Sequence, residues 1–366
     1  MSTSFDAING DPKADFAILD EKETFLKRVF KIQAMQVVLV LLVITAVFGA
    51  LAPDTFLTFF NLRNVMINVS LFAILGVGMT FIIITAGIDL SIGSMLVFSS
   101  VVAIKVMQLM KGDGWKPTIV GAIVAVVIGT FWGTVNGVLI AYARVPAFIV
   151  TLGTLSTVLG VSQITTGGID WRGAPANLVN KIGFGNLIGQ VPMLGVIAIV
   201  VVILGGILLH KTKFGLITYA VGSNPEACRR VGINVKRHLV LVYGLMGSLA
   251  GLAGILSIAE FEQTTIAGQS NTALTVIAGV VIGGTSLFGG YGTMFGTAVG
   301  LLIPVILQTG FIIIGVVPFW QNIVVGVFLV AAVYVDTARR EAAEKGGRSL
   351  LKRSSKKNVS PSTKGK

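Results

Sequence analysis

Asp89 is the charged residue that lies deepest in an apolar stretch of this sequence. It is the only charged side chain between Asn64 and Ile104, within the Gly-Ile-Asp-Leu-Ser-Ile-Gly segment 87–93. A carboxylate at membrane depth is costly and is therefore a candidate functional residue. Two interpretations are open. Asp89 and Ser91 can cap the helix that follows, because their side chains accept hydrogen bonds from free helix N–H groups, or they can contact a polar solute.

Several other polar residues lie inside apolar stretches. Each can hydrogen-bond a solute hydroxyl, and each can equally bind a neighbouring helix. Further candidates for a solute path, beside Asp89 and Ser91, are Asn136, Thr151 and Thr154. The same two interpretations apply to Ser156, Gln163 and Gln308.

The sequence lacks the usual signatures of catalysis. It contains no G-x-x-x-x-G-K-[ST] phosphate loop and no nucleophile elbow. The two histidines, His210 and His238, belong to no cluster with metal-ligand spacing. We therefore predict no catalytic residue, no metal site and no cofactor on this chain. The single cysteine, Cys228, excludes an internal disulfide, and we expect a buried or idle thiol.

The hydrophobic residues predict an all-α polytopic membrane protein. They make up 54% of the 366 residues, against 12% charged, whereas a soluble domain carries about a quarter charged residues. They fall in runs long enough to cross about 30 Å of hydrocarbon. We predict about ten transmembrane segments, at 35–52, 68–87, 91–108, 118–142, 147–165, 191–209, 239–258, 272–289, 293–310 and 319–335.

Two pairs of these segments are separated by only a few residues. Residues 88–90 separate the second from the third segment, and residues 289–292 join the eighth to the ninth. Broken or re-entrant helices are therefore expected. Irregular backbone at membrane depth is tolerated only where it is buried in protein or lines an aqueous cavity. We predict unwound backbone, or a gate, at Gly283, Gly284, Gly289 and Gly290.

The basic residues predict topology rather than nucleic-acid binding. The net charge is +12, and 22 of the 28 Lys and Arg residues lie in 1–34, 143–146, 210–238 and 336–366. Cytoplasmic loops carry this excess, so both termini are predicted to lie in the cytoplasm. The expected organisation is a cytoplasmic N-terminal segment (1–34), a transmembrane domain (35–335) and a disordered basic tail (336–366). The tail anchors the topology or contacts anionic lipid.

Residues 210–238, which we call the coupling segment, form the most informative soluble stretch. Asn224 can cap a short helix that has Pro225 in its first turn, and Gly232 can end it. A short, capped, basic helix between membrane spans suits docking to a soluble partner. The alternative is a simple connector.

Three stretches, 78–94, 219–235 and 281–292, together resemble the permease subunits of ribose-, xylose- and arabinose-type ABC importers. The resemblance extends from about residue 60 to 336. It implies a homodimer that works by alternating access, a cytoplasmic ATPase that carries ATP and Mg, and an extracytoplasmic solute-binding protein. It also implies a bacterial inner membrane. Docking of the ATPase is expected at Gly222, Asn224, Glu226, Ala227, Arg229, Gly232 and Ile233.

The identity of the solute is left open by the sequence. Family members commonly carry a Glu-Leu-Asp acidic pair where this chain has Ala-Leu-Thr at 273–275, and a basic residue near 259–262, where this chain has Ala-Glu-Phe-Glu. The alternatives to a sugar permease are an ABC permease for branched-chain amino acids or nucleosides, and an ion-coupled secondary transporter. Sparse intramembrane charge favours a neutral polyol, because a zwitterion needs paired charges or helix termini.

Overall fold

The structure is a computed structural model that describes residues 33–317, 319–327, 329–331, 333–334 and 337. Apart from two isolated β-bridges, the described residues form helices and their connections. The helices are α1 Gln33–Leu51, α2 Pro53–Phe56, α3 Phe59–Ile84, α4 Ile92–Leu109, α5 Trp115–Ala141, α6 Ala147–Thr166, a π-helix Leu178–Gly183, α7 Met193–Lys211, α8 Lys213–Ser223, α9 Pro225–Arg230, α10 Val235–Phe261, α11 Thr272–Ile282 and α12 Met294–Ile313.

Each of the ten predicted segments coincides with an apolar helix. Seven helices in the described part are long and apolar enough to cross a membrane: α3, α4, α5, α6, α7, α10 and α12. The first, eighth and tenth segments correspond to shorter apolar helices, Met35–Leu51, Thr272–Ile282 and Trp320–Ala331. The predicted polytopic α-helical class is therefore confirmed. The N-terminal segment and the basic tail lie almost wholly outside the described residues.

Two predicted boundaries are wrong. The eighth segment was expected to continue to residue 289, but α11 ends at Ile282 because Gly284 has φ +95° and helical hydrogen bonding stops there. The second segment starts earlier than expected, at Phe59, where the Thr58 side chain accepts a hydrogen bond from the Asn61 N–H. It ends at Ile84, and the residues up to Ser91 are not helical.

Glycines allow the central helices to pack backbone against backbone. A Cβ at Gly129 of α5 would lie 2.1 Å from the carbonyl oxygen of Gly247 on α10, and one at Gly251 would lie 2.2 Å from that of Ala125. Such close approach is the usual role of small residues in membrane helices. Most of α3, α4, α10 and α12 is buried, whereas α5, α6 and α7 present most of their residues outward.

The connections lie at two opposite ends of the helix bundle. At one end, Gly290 of the α11–α12 connection donates its N–H to the carbonyl of Ile84, where α3 ends. At the other end, Arg172 pairs with Gln263, and the Asn177 N–H donates to the carbonyl of Asp113. The coupling segment belongs to the first end, and residues 167–192 belong to the second. Successive helices therefore cross the bundle in alternating directions.

Candidate functional site

The connection between α3 and α4 carries a buried polar chain. Asp89 Oδ1 accepts hydrogen bonds from the Ser91 N–H at 2.8 Å and from Ser91 Oγ at 2.5 Å. Asn136 Nδ2 of α5 donates to Ser91 Oγ at 2.9 Å, and Asn136 Oδ1 accepts from Thr154 Oγ1 of α6 at 2.6 Å. Four of the five predicted solute-path residues thus form one continuous network that joins three helices.

The fifth candidate, Thr151, lies beside the same network. Its hydroxyl donates to the Ala147 carbonyl at 3.0 Å and lies 3.4 Å from the carbonyl oxygen of Ile88. That carbonyl also accepts from Tyr243 Oη of α10 at 3.5 Å. Sequence reasoning missed Tyr243, although a single tyrosine inside an apolar segment was the available signal. The network therefore reaches α10 as well.

This geometry bears on the two interpretations of Asp89. The bond to the Ser91 N–H folds a turn immediately before α4, whose own N-cap, Ser91, makes no side-chain cap bond. Asp89 Oδ2 is buried and has no hydrogen-bond partner among the described residues. None of the five candidates exceeds 7% exposure. Asp89 is thus a loop-folding residue in this conformation, and its place in the solute path stays a prediction.

The coupling segment forms the predicted capped helix. Asn224 Oδ1 accepts from the Ala227 N–H at 2.9 Å, Pro225 is the first residue of α9, and Glu226 lies in its first turn. Arg229 and Arg230 lie in the last turn, where positive charge suits the helix dipole.

One side of α9 holds it against the bundle and the other side is free. Cys228 is 5% exposed and packs with Val221 and Val235, with Ile233 partly buried beside them, so the expected buried thiol is found. The remaining surface residues are exposed: Asn224, Glu226, Ala227, Arg229, Arg230, Val231 and Gly232. Gly232 has φ +84°, and a Cβ there would meet nothing within 4 Å. The helix therefore presents an unobstructed, mostly polar surface.

Gly222 connects the coupling segment to the predicted gate. A Cβ at this position would lie 1.7 Å from the carbonyl oxygen of Ile84 and 2.7 Å from the Gly290 nitrogen, both of which are backbone atoms. One turn earlier, Tyr219 Oη donates to the Gly292 carbonyl at 2.6 Å. Burial, with a smaller contribution from Tyr291, raises the pKa of Tyr219 to about 12.

Two different constraints require glycine at the four predicted gate positions. Gly284, Gly289 and Gly290 have positive φ values of +95°, +82° and +74°, which side-chain-bearing residues adopt only with strain. Gly283 has an ordinary φ of −62°. Its constraint is space, because a Cβ there would lie 2.2 Å from the Gly296 carbonyl oxygen of α12. The backbone between α11 and α12 is thus unwound where it contacts the coupling segment, while its gating role stays a prediction.

In the part of the chain that the structure describes, no group of three or more His, Cys, Asp or Glu side chains is placed to hold a metal ion.

The apolar helices that cross the bundle define a polytopic membrane protein, with non-helical connections between α3 and α4 and between α11 and α12. The chain belongs to the family described as "branched-chain amino acid transport system / permease component", whose profile matches residues 61–333.

Curated relatives support this membership. The ribose import permease protein of Escherichia coli strain K12 is 37% identical over 303 residues, covering 82% of this chain and 92% of the relative. The D-allose transport system permease protein of the same strain is 32% identical, covering 81% and 89%. The fructose import permease protein of Rhizobium meliloti is 31% identical, covering 93% and 97%. No solved structure matches the chain.

Proposed function

We propose that this chain is the membrane-spanning permease subunit of an ATP-driven importer for a neutral sugar or related polyol. The observation that carries the proposal is the contact of the exposed, capped coupling segment with the unwound glycine connection, through Gly222, Ile84 and Gly290. That contact can transmit movement from a cytoplasmic partner into the bundle. The names of the ribose, allose and fructose relatives support a sugar as the solute.

The proposed partners follow from the two ends of the bundle. A separate ATPase, which carries ATP and Mg, docks on α9, and a solute-binding protein docks at the end formed by residues 167–192. A second copy of this chain completes a homodimer in the bacterial inner membrane, with both termini cytoplasmic. This chain itself holds no nucleotide.

The buried polar network connects the coupling segment to α5 and α6 and can transmit the proposed movement to them. Closure of the ATPase displaces α9 and α8, and Gly222 passes the displacement to Ile84 and Gly290. The connection after Ile84 leads directly to Asp89 and Ser91, whose bonds to Asn136 and Thr154 couple it to α5 and α6. Helix α6 therefore moves with the coupling segment, and access alternates between the two ends of the bundle.

The two alternatives, an amino-acid permease and an ion-coupled secondary transporter, require different groups along the solute path. Branched-chain amino acids, which the family description names, are zwitterions and need paired charges or helix termini along the path. An ion-coupled secondary transporter needs a carboxylate relay. Between Phe59 and Ile313, the acidic side chains within described membrane-depth segments are Asp89, which follows the Ile88 contact with Tyr243, and Glu260, in the last turn of α10. Two separated carboxylates form neither a relay nor a charge pair, and between a sugar and an amino acid the names of the relatives favour the sugar.

The proposal is tested by reconstituting the chain with its ATPase and solute-binding protein in proteoliposomes. Sugars such as ribose, allose and fructose are expected to stimulate ATP hydrolysis and to accumulate inside, while leucine and adenosine are not. The purified chain alone is expected to bind no ATP. Stimulation by leucine or adenosine instead of any sugar would reject the proposed solute, and uptake without the ATPase would reject the proposed class.

Gly232→Val is expected to leave the subunit in the membrane but to reduce ATPase retention and solute-stimulated ATP turnover. A β-branched residue at φ +84° strains the backbone by about 1–2 kcal/mol and redirects the exit from α9. Gly189→Val is the matched control, because Gly189 also has positive φ (+59°) with open space around its Cβ, but lies at the opposite end. Equal ATPase retention by both variants would show that α9 is only a connector.

Both termini are expected to be inaccessible from outside the cell. Single cysteines at Ser4 and Ser360, introduced into a Cys228→Ser background, should react with a membrane-impermeant thiol reagent only after permeabilisation. A cysteine at Gly189 provides the control that labels in intact cells. Labelling of either terminal cysteine in intact cells would reverse the proposed orientation.

A further inference from the structure

The chain that follows α10 turns back into the bundle instead of leaving it. Near the end of the bundle, the Thr264 N–H donates to the Trp171 carbonyl, and Thr264 Oγ1 donates to Asp170 Oδ1 at 3.2 Å. The Oγ1 atom of the next residue, Thr265, lies 3.2 Å from Ser257 Oγ. Ser257 lies one turn before the end of α10. Residues 262–271, which we call the re-entrant segment, therefore descend beside the helix that they follow.

The lowest part of the re-entrant segment lies deep in the bundle. A Cβ on Gly93, in the first turn of α4, would lie 2.6 Å from the carbonyl oxygen of Gln269. Gly254 of α10 lies beside Leu96, one turn further along α4. Gln269 is thus about ten helical residues below Phe261, where α10 ends, which corresponds to a depth of about 15 Å. That depth is about half of the hydrocarbon thickness.

Part of this deep segment is exposed on the surface of the subunit. Ala267, Gly268, Ser270 and Asn271 are exposed, and the Asn271 side chain makes no cap bond to α11. Irregular, lipid-exposed backbone does not occur inside the hydrocarbon region. The exposed tip must therefore face either water or protein in the assembled transporter.

Helix α6 supplies the opposite side of this surface. Leu155 and Leu159 line a cavity of about 80 Å³ together with Ser270 and Ala273 of the segment and α11. Positions four apart on a helix share one face, so Gln163 continues the row of Leu155 and Leu159 toward the end of α6. Beyond Thr154, the exposed residues of α6 are the polar Ser156, Thr157, Gln163 and Thr165 and the apolar Val161 and Ile164.

The exposed surfaces of α5 and α7 have a different character. Between Ile119 and Leu139, every exposed residue of α5 is Ile, Val, Leu or Phe, and between Ile199 and Ile207 every exposed residue of α7 is Ile, Val or Leu. Those surfaces suit lipid. Of the polar residues of α6, Thr165 donates to the Val161 carbonyl at 2.7 Å, whereas Ser156 and Gln163 would leave a hydroxyl and an amide without partners in hydrocarbon.

We propose that the tip of the re-entrant segment and the exposed Ser156 and Gln163 of α6 form the surface that a neutral polyol contacts during transport, with Asn271, Ser270, Ser156 and Gln163 as specificity-determining residues. This inference rests on the proposed function. Amide and hydroxyl groups both donate and accept hydrogen bonds, as sugar hydroxyls do. The segment 267–275 and α6 contain no charged residue, so no side chain there forms an ion pair with the solute. The buried Asp89 network contacts the buried side of α6 through Thr154.

The first test is water accessibility. In a Cys228→Ser background, reconstituted with its partners, Asn271→Cys and Ser156→Cys are expected to react with a small, charged methanethiosulfonate reagent. Saturating ribose, allose or fructose should slow the reaction several-fold. Val127→Cys of α5 and Ile203→Cys of α7 are the lipid-facing controls and should stay unlabelled. Asn271→Cys that is as unreactive as these controls would overturn the proposal.

The rival occupant of the surface is the second copy of the chain. In that case, Asn271→Cys or Ser156→Cys would form a disulfide between copies under oxidising conditions, and sugar would not slow labelling. That result would overturn the proposal in favour of a subunit interface.

The second test measures specificity. Asn271→Ala and Gln163→Ala are expected to change the ratio of uptake rates among ribose, allose and fructose by about tenfold, with normal ATPase retention. Unchanged ratios in variants that transport would overturn the specificity role. If the wild-type chain transports no sugar at all, the proposed function fails, while thiol labelling still reports whether the surface faces water.

Discussion

Gly222→Ala is expected to abolish transport and to reduce the amount of folded subunit in the membrane. The added Cβ would lie 1.7 Å from the Ile84 oxygen and 2.7 Å from the Gly290 nitrogen. Both are backbone atoms, so no rotamer change relieves the overlap, and α8 must separate from both connections. Overpacking usually costs about 1–3 kcal/mol and occasionally more, and contact with backbone on two sides places this variant at the upper end. Thermal unfolding in detergent and sugar uptake measure the effect.

Gly206→Ala is the matched control for Gly222→Ala. Gly206 lies in α7, near the same end of the bundle, and its Cβ would meet the nearest atom of Met294 at 3.7 Å, an ordinary contact. This variant should insert and transport like the wild type. Wild-type uptake by Gly222→Ala would mean that the coupling segment does not cross Ile84 and Gly290 closely in the working transporter.

Asp89→Asn is expected to insert normally but to transport at least about tenfold more slowly, a rate loss that corresponds to about 1.4 kcal/mol. The amide oxygen of Asn can still accept both bonds from Ser91, so the turn before α4 survives while the carboxylate is lost. Asp89→Ala should fail more severely, because it removes both bonds, each worth about 1.5–3 kcal/mol to a charged acceptor. Membrane yield, thermal unfolding and uptake separate the two variants.

Ser99→Ala is the control for removal of a buried polar group. Ser99 is fully buried in α4, and its Oγ has no hydrogen-bond partner among the described residues. Its loss should leave stability and uptake unchanged. Full uptake by Asp89→Asn, together with failure of Asp89→Ala, would reduce Asp89 to a residue that only folds the turn.

The helices and the α9 cap could be predicted because their signals are local. An apolar run of about 20 residues identifies a span, and the Asn224-Pro225 pair marks a helix start without any distant contact. The early end of α11 could not be predicted in this way. Leu287 and Phe288 extend the apolar pattern past Ile282, and the glycines indicated unwound backbone without its exact start. The break depends on the positive φ of Gly284 and on the approach of Gly296 to Gly283.

The candidate site was predicted as a set of residues and not as an arrangement. Asp89, Asn136 and Thr154 were identified as polar residues in apolar surroundings. Their hydrogen bonds join positions up to 45 residues apart, and a single sequence does not reveal such pairings. The re-entrant segment was missed for a different reason. A polar stretch between two apolar runs has the same composition whether it lies outside the membrane or descends about 15 Å into it.

The depth of the re-entrant segment also has an electrical consequence. If water follows the chain down to Gln269, only about half of the 30 Å hydrocarbon layer remains as insulator at that point. The membrane voltage then falls across this thinner layer, and the local field is about twice that across the surrounding lipid. One elementary charge that crosses the full voltage exchanges about 2.3 kcal/mol per 100 mV. A neutral solute exchanges none, so its own passage through this bundle adds no voltage dependence to uptake.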